Sequence, residues 1–321
     1  MASTHMQKNY GFGKQLLYAS HQAIVYLYRG GHYSASKTHN RRFSRFIRFL
    51  MSEFNIRDAR NIKQEHLDAY AKHVAAQFSA GELSLKYVRN LISSMNVGMS
   101  AFRNDDLMFA KPSDYLPNGS NVRIEPPVCS DQDVMECLAF LQQQKKFREF
   151  AVVWLVYHFS MRVREAVLAD LYRLKVEAKR TGQVCILEGT KGGRKSKDRI
   201  IEVGDEELAF LEFLYSVCPS GSDNLLSEDE TFIQFQNKVL NPLRKVLKKF
   251  NIPNFREIRA LGLNRVYESR TGYLSPVRLN ALGIYDDQDA SLVLEGLKEV
   301  SRTAGHGRIE VAYAYVGKPK K

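Results

Sequence analysis

The sequence predicts a mainly α-helical protein with one small antiparallel β-sheet, an α+β fold, arranged as two domains. Apolar residues recur at helical spacing over residues 34–103 and again beyond residue 206. Two short runs that contain isoleucine and valine, 184–187 and 199–203, flank a glycine-rich basic turn and predict a hairpin. At 321 residues the chain is long enough for two separate hydrophobic cores.

The first predicted helix of the N-terminal domain has one apolar face and one basic stripe. Its apolar side chains are Phe43, Phe46, Ile47, Leu50 and Phe54. The basic stripe consists of Arg41, Arg42, Arg45 and Arg48. A second helix is predicted over 64–78 and a third from Ser84, with the further cations Lys86 and Arg89 in its first turns. These three helices predict a small bundle with a basic surface.

The boundary between the two domains is predicted from a stretch rich in proline, asparagine and glycine. The predicted segments are a cloning remnant at 1–6, a helical domain at 7–110, a linker at 111–129 and a second domain at 130–321. In the second domain, Ser130 followed by acidic Asp131 and Asp133 predicts a helix N-terminus. The apolar run 150–159 predicts a buried helix, and after Glu165 the pattern changes to that of strands.

The overall charge favours a polyanionic partner. Lysine and arginine number 47 against 35 aspartates and glutamates, which gives +12 at pH 7. Nucleic acid is the commonest partner of such a protein, and an acidic membrane surface is the second. The four cysteines form no C-x-x-C pair, so neither a disulfide framework nor a zinc site is predicted, as suits a reducing cytoplasm. No apolar run approaches the roughly 18 residues of a membrane span, so no membrane association is expected.

Two clusters in the first half of the second domain could bind phosphate. Arg162 and Glu165 lie in Ser160-Met161-Arg162-Val163-Arg164-Glu165-Ala166, which a solvated charged turn would equally explain. The turn between the two strands carries the cations Lys191, Arg194, Lys195 and Lys197 and suits a groove beside phosphates. A nucleotide-binding loop is disfavoured, because Arg194 stands where its second glycine should be and the segment joins two strands.

Two further clusters lie towards the C-terminus. Arg256 and Arg259 are three residues apart at a predicted helix start, so we expect them to share one face and bind phosphate oxygens in pairs. The alternative is two exposed arginines. Tyr315 lies nine positions after His306 of the Gly305-His306 pair. A histidine beside a glycine is often only a turn residue.

The order of these clusters resembles that of the tyrosine recombinases, the phage-type integrases. The 160–166 segment resembles their first arginine box, the 189–194 turn their hairpin lysine, and 256–259 their third box. Ala304-Gly305-His306 with Tyr315 resembles their last box and nucleophile. The 266–272 stretch and the insertion after it are similar to those of proteobacterial prophage and genomic-island integrases.

The resemblance implies a helical core-binding (SAM-like) DNA-binding domain followed by a catalytic domain that cuts and rejoins DNA through a 3′-phosphotyrosyl intermediate. Tyr315 would be the nucleophile, Arg162 and Arg259 would hold the phosphate, His306 would assist them and Lys191 would be the general acid. Glu165 would orient Arg162, and Arg256 would add a third cation. No metal or other cofactor is implied. The basic residues listed above would contact DNA.

The implied partners are double-stranded DNA attachment sites, bound by a tetramer that is a monomer or dimer when free. An accessory directionality factor or a host DNA-bending factor belongs to the same expectation, as does a place at the bacterial nucleoid in the cytoplasm. The chain departs from the family at Arg256 and Ala260, where relatives have histidine, and at Ser160, where they have glycine. Six residues follow Tyr315, so the helix that many relatives exchange between subunits is expected to be absent or replaced.

Three alternatives stay open from the sequence. A type IB topoisomerase shares the tyrosine chemistry but does not exchange DNA partners. A DNA-binding or architectural protein with a decayed site would share the charge but not the reaction. Tyr313 is a second candidate nucleophile, and on a helix it would point roughly 200° away from Tyr315, so only one of the two tyrosines can face the phosphate.

Overall fold

The computed structural model describes residues 7–29, 31–190, 199–284 and 288–319. The chain divides into two compact units, Met1–Ser120 and Asn121–Lys321. The division falls within the stretch predicted as a linker. The predicted cloning remnant lies outside the described residues. The predicted fold class is confirmed, since helices form most of both units and two short strands form one antiparallel sheet. No helix among the described residues is long and apolar enough to cross a membrane.

The described part of the first unit contains four α-helices. They are α1 (Leu16–Leu27), α2 (Tyr33–Glu53), α3 (Gln64–Ser79) and α4 (Leu85–Arg103). The last three are the predicted helices, and Ser84 caps α4 by accepting a hydrogen bond from the Tyr87 N–H. The sequence reasoning missed α1. Its buried side chains include Leu16, Ala19, Ala23 and Ile24, a helical spacing in which alanines carry half of the signal.

The core of the first unit contains an aromatic cluster formed by α2, α3 and α4. The rings of Phe43 and Phe102 lie 5.8 Å apart, and those of Phe46 and Tyr70 lie 5.1 Å apart. The two helices approach closely at Gly98, where a Cβ atom would lie 2.3 Å from the Phe43 ring. Close packing therefore fixes the side of α2 that faces solvent.

The predicted basic stripe is only partly free to meet a ligand. Arg41 and Arg48 are exposed, whereas Arg42 is half-buried. Arg45 Nη2 donates to Gln77 Oε1 of α3 at 3.0 Å, so this arginine also joins two helices. In α4, Lys86 is exposed, and Arg89 Nη1 donates to the Pro117 carbonyl at 2.9 Å.

The second unit contains eleven helices and both strands within the described ranges. The helices before the sheet are α5 (Asp131–Gln143), α6 (Phe147–His158), α7 (Val163–Leu168) and α8 (Leu171–Thr181). Strands β1 (Gln183–Cys185) and β2 (Ile200–Glu202) pair antiparallel, with Val184 opposite Ile201. The helices after the sheet are α9 (Asp205–Ser216), α10 (Phe232–Phe235), α11 (Asn241–Lys249), α12 (Phe255–Thr271), α13 (Pro276–Leu282), α14 (Ala290–Thr303) and α15 (Tyr313–Val316).

Helix α6 is the centre of the second unit. All eight residues from Phe150 to Tyr157 are buried, as the apolar run predicted. A helix that is apolar on every side has to be covered on every side, and α5 and α12 pack against it. The predicted start of α5 is confirmed, because Ser130 and Asp133 form a reciprocal capping box.

The two strands overlap the predicted runs, but the chain between Glu165 and the first strand is mainly helical, which the sequence did not predict. Helices α7 and α8 occupy most of the chain up to β1. Helix α8 begins where Asp170 accepts a hydrogen bond from the Arg173 N–H, and it ends at Gly182, whose φ of 65° suits a left-handed C-cap. Its buried residues, Leu171, Leu174 and Ala178, have helical spacing. Their number is small, so the pattern was weak.

Candidate active site

Arg259 is the buried centre of the candidate site. It lies in the second turn of α12. The side chain of Asn254 caps this helix by accepting hydrogen bonds from two backbone N–H groups. The Arg259 side chain is 6% exposed, and its Nε donates to the Ser160 carbonyl at 2.7 Å. Its Nη2 donates to the Ala304 carbonyl at 2.6 Å, and its Nη1 donates to the Tyr315 hydroxyl at 3.1 Å.

Arg162 lies beside Arg259 at the start of α7. Its Nη1 donates to Glu165 Oε1 at 2.6 Å, and its Nη2 donates to the Ala304 carbonyl at 3.1 Å. The same Nη2 atom is 3.1 Å from His306 Nε2. Because the Arg162 side chain is 25% exposed, it can meet a ligand from solvent while its other contacts hold it in place.

Glu165 is a fully buried carboxylate. Its Oε2 accepts a hydrogen bond from the Arg162 backbone N–H at 2.6 Å, which caps α7. Burial by itself would raise the pKa of Glu165, but the guanidinium groups of Arg199 and Arg162 and this backbone N–H together lower the pKa below its usual value. Glu165 therefore stays ionised and orients Arg162.

Arg199 is a third arginine of the site, and the sequence reasoning did not include it among the candidates. It is 3% exposed and directly precedes β2. Its Nη1 pairs with Glu165 Oε2 at 2.8 Å, its Nε donates to the Thr303 carbonyl at 2.8 Å and its Nη2 donates to the Ser160 carbonyl at 3.2 Å. A charged residue at the start of a predicted apolar strand was the signal that could have found it.

The Gly305-His306 turn follows the end of α14. Gly305 has a φ of +69°, a left-handed conformation that favours glycine. The His306 N–H donates to the Ser301 carbonyl, and the Ser301 hydroxyl donates in turn to the carbonyls of His306 and Arg308. These hydrogen bonds hold the backbone of the turn in one conformation and thereby orient the His306 side chain.

The His306 ring is neutral at physiological pH. Burial lowers its pKa to about 4, and the guanidinium groups of Arg162, Arg259 and Arg199 contribute to the decrease. A guanidinium can only donate hydrogen bonds, so His306 Nε2 is the acceptor in its contact with Arg162. The ring proton is then on Nδ1, by assignment from this contact.

Tyr315, and not Tyr313, is the tyrosine in contact with the arginines. Its side chain is 9% exposed, and the Arg259 guanidinium lies 5.2 Å from its ring centre. The ring centres of His306 and Tyr315 are 6.4 Å apart. Asn264 Nδ2 of α12 donates to the Tyr315 carbonyl at 3.1 Å, which attaches α15 to α12.

The cluster carries an excess of positive charge. Arg162, Arg199 and Arg259 are cationic, and among the described residues Glu165 is the carboxylate paired with them, so this group carries an excess of two positive charges. Burial lowers the pKa of Arg259 to about 10, which still leaves it charged at neutral pH. A cleft of about 740 Å³ opens beside Arg162 and His306. Its wall also carries Lys298, Arg302 and Arg308. This arrangement suits an anion.

Several predicted site residues are not part of this cluster. Arg256 and Arg259 both lie at the start of α12 as predicted, but Arg256 is exposed and Arg259 is buried, so Arg259 alone of this pair enters the cluster. The reason is that α12 packs into the core from Phe255 and Ile258 onwards, whereas Arg256 projects from the first turn into solvent. Ala260 is fully buried among apolar side chains. The basic turn residues Lys191, Arg194, Lys195 and Lys197 lie outside the described residues.

Comparison with protein-family models finds no match, and comparison with curated proteins finds no similar sequence. The described ranges contain no group of three His, Cys, Asp or Glu side chains placed to hold a metal ion. The chemistry of the site therefore has to be argued from its own geometry.

Ser160→Gly should raise the free energy of unfolding of the second unit by about 1 kcal/mol. Ser160 has a φ of 47°, and its Oγ is buried without a hydrogen-bond partner among the described residues. Glycine removes both the left-handed strain and the unsatisfied hydroxyl, at some cost in chain entropy. Urea unfolding, followed by the fluorescence of buried Trp154 in α6, measures the change. Ser160→Ala is the control, and a glycine variant no more stable than the alanine variant would contradict the prediction.

The ring protons of His306 should not titrate between about pH 8 and pH 5.5, because the pKa is lowered to about 4. Proton NMR of the histidine rings measures this, with His306→Gln assigning the resonance. Arg162→Met should move the midpoint upwards, since a neighbouring cation opposes protonation. A midpoint near 6.5 in the unaltered protein would show that the ring is solvated instead.

Proposed function

We propose that this protein is a tyrosine recombinase that cleaves and rejoins DNA to integrate or excise a mobile element. The observation that carries the proposal is the hydrogen bond from Arg259 Nη1 to the Tyr315 hydroxyl, within a cluster that also holds Arg162 and His306. These residues are far apart in sequence, and each contributes a group that phosphodiester cleavage requires.

In the proposed reaction, Tyr315 Oη attacks the phosphorus of one DNA strand in line with the leaving 5′-oxygen. A phosphorus–oxygen bond to the tyrosine forms at the 3′ side while the bond to the 5′-oxygen breaks. The proton of the Tyr315 hydroxyl passes to water, and the proposed general acid protonates the leaving 5′-oxygen, so one proton is lost and one is gained. One phosphodiester replaces another, so the bond energy is kept for rejoining, and no nucleotide cofactor is required.

Arg162 and Arg259 bind the non-bridging oxygens of the phosphate. The excess of two positive charges in the cluster matches the charge that develops on the pentavalent transition state, which exceeds that of the ground state. Fixed donors of this kind are more effective than mobile surface cations, because no reorganisation is needed during the reaction. Glu165 supports this clamp by holding Arg162.

His306 offers its Nδ1–H as a further donor to the phosphate, since Nε2 is occupied by Arg162. Lys191 is the proposed general acid for the leaving oxygen, and this role rests on the resemblance alone. Arg256 is exposed, so we assign it to flanking DNA instead of to the reacting phosphate. The proposed substrate is a pair of double-stranded attachment sites bound by a tetramer at the bacterial nucleoid, with an accessory directionality or DNA-bending factor.

Suicide substrates test the nucleophile. Duplexes are taken from the DNA that flanks the gene in its host and are nicked beside each candidate cleavage position, so that the leaving strand diffuses away. A covalent protein–DNA adduct is expected for the unaltered protein and for Tyr313→Phe, and none for Tyr315→Phe. Arg259→Met should slow adduct formation by about 100- to 1,000-fold, the usual cost of removing a fixed donor.

An adduct that still forms with Tyr315→Phe would exclude this tyrosine as the nucleophile. No adduct from any duplex would favour a DNA-binding protein with a decayed site. Incubation of two different duplexes then separates the remaining enzymes, because exchange of strands between the duplexes indicates a recombinase, and relaxation of supercoils without exchange indicates a type IB topoisomerase.

Charge reversal on the first unit tests its role in DNA binding. Arg41→Glu with Arg48→Glu should weaken binding and reduce the slope of log affinity against log salt by about 2, since each phosphate contact contributes about 0.9. Both residues are exposed on α2. Fluorescence anisotropy with a labelled duplex over a series of salt concentrations measures the slope. The control, Arg57→Glu with Lys72→Glu, changes the net charge equally, and an equal effect from it would show that the stripe is not a specific contact.

A further inference from the structure

Arg199 is the most buried guanidinium of the site, and the proposed reaction gives it no part. Its exposure of 3% is lower than that of Arg259, and its pKa is lowered by burial despite the adjacent Glu165 carboxylate. Placing a cation in such a position is costly unless it is paired and hydrogen-bonded. Arg199 meets both conditions, and its partners are groups that also hold the other residues of the site.

Arg199 contacts the 160–165 segment and the end of α14, which hold the proposed phosphate-binding side chains. Glu165 presents one oxygen to each of two arginines, Oε1 to Arg162 and Oε2 to Arg199. Without Arg199, the Glu165 carboxylate would have one guanidinium in place of two and could rotate away from the position that holds Arg162.

Arg199 also contacts the anchors of Arg259 and His306. Its Nη2 shares the Ser160 carbonyl with Nε of Arg259. Its Nε bonds to the Thr303 carbonyl, next to the Ala304 carbonyl that both other arginines use. Its alkyl chain lies under the turn that leads to His306, because a Cβ atom on Gly305 would be 3.1 Å from Arg199 Cδ.

We propose that Arg199 is a positioning residue: it fixes Glu165 and the 303–305 turn so that Arg162, Arg259 and His306 keep the spacing that one phosphodiester requires. We assign the phosphate to Arg259 and not to Arg199, because Arg259 Nη1 reaches the Tyr315 hydroxyl, whereas the three side-chain nitrogens of Arg199 face Glu165 and two main-chain carbonyls. The role as a positioning residue for catalysis rests on the proposed function.

Arg199→Met and Arg199→Lys test this role in the full-length protein. Arg199→Met should slow single-turnover adduct formation by on the order of 10- to 100-fold, the scale of a misplaced reacting group. The affinity for duplex DNA should stay unchanged, because Arg199 makes no phosphate contact. Arg199→Lys should recover part of the rate, since an ammonium can reach Glu165 but cannot replace a guanidinium that bonds two carbonyls as well.

Two measurements separate positioning from general loss of stability. Trp154 fluorescence confirms that each variant is folded. Arg148→Met is the matched control, because Arg148 forms a 2.6 Å ion pair with Glu230 outside the site. The control should keep both the adduct rate and the His306 midpoint. Arg199→Met should raise the His306 midpoint above about 4, because it removes a nearby cation and loosens the turn.

The outcomes distinguish this inference from the proposed function. If the unaltered protein forms an adduct and Arg199→Met forms it equally fast, Arg199 is not a positioning residue. If Arg199→Met does not fold, an unchanged rate for Arg199→Lys leads to the same conclusion. If the unaltered protein forms no adduct, the proposed reaction fails. The titration midpoint of His306 still tests the structural part, and an unchanged midpoint in folded Arg199→Met overturns it.

Discussion

The site depends on the buried carboxylate of Glu165. Three guanidinium groups stand close together in the second unit, and like charges at such distances repel strongly in a medium of low polarity. Glu165 offsets part of this repulsion by pairing with Arg162 on one oxygen and with Arg199 on the other. Its charge is itself maintained by these same arginines. Neither the Glu165 carboxylate nor the guanidinium groups would be stable in this buried position without the other.

The arginines are stabilised further by the carboxyl ends of two helices, which contribute partial charges and no net charge. The carbonyl groups at a helix end lack partners within the helix and carry partial negative charge. Ser160 follows α6, while Thr303 and Ala304 end α14, and their carbonyls accept five hydrogen bonds from the three arginines. The positive φ of Ser160 turns the chain sharply after α6, close to where its carbonyl is used. The cation cluster is thus built largely on main-chain groups.

Strong local signals made part of this structure predictable from the sequence. The regular apolar spacing of α2 to α4, the acidic cap at Ser130 and the paired strand runs all correspond to observed elements. Helices α1 and α8 were missed because alanines and a few leucines carry their patterns. Nothing in the sequence distinguishes Arg256 from Arg259. The packing of α12 exposes the first and buries the second. Arg199 was not recognised because its partners come from two distant segments, one at Ser160 and Glu165 and one at Thr303.

The tyrosine and the arginines of the site belong to elements of very different stability. The anchor at Ser160 follows α6, whose side chains are buried on every face, so it can move only if the core of the unit opens. Tyr315 lies on α15, a single turn of four residues, and isolated turns of that length have little stability of their own. We therefore expect local opening of α15 to cost less free energy than displacement of the Ser160 anchor. Tyr315 would then leave and rejoin a cluster of arginines whose main-chain partner at Ser160 stays in place.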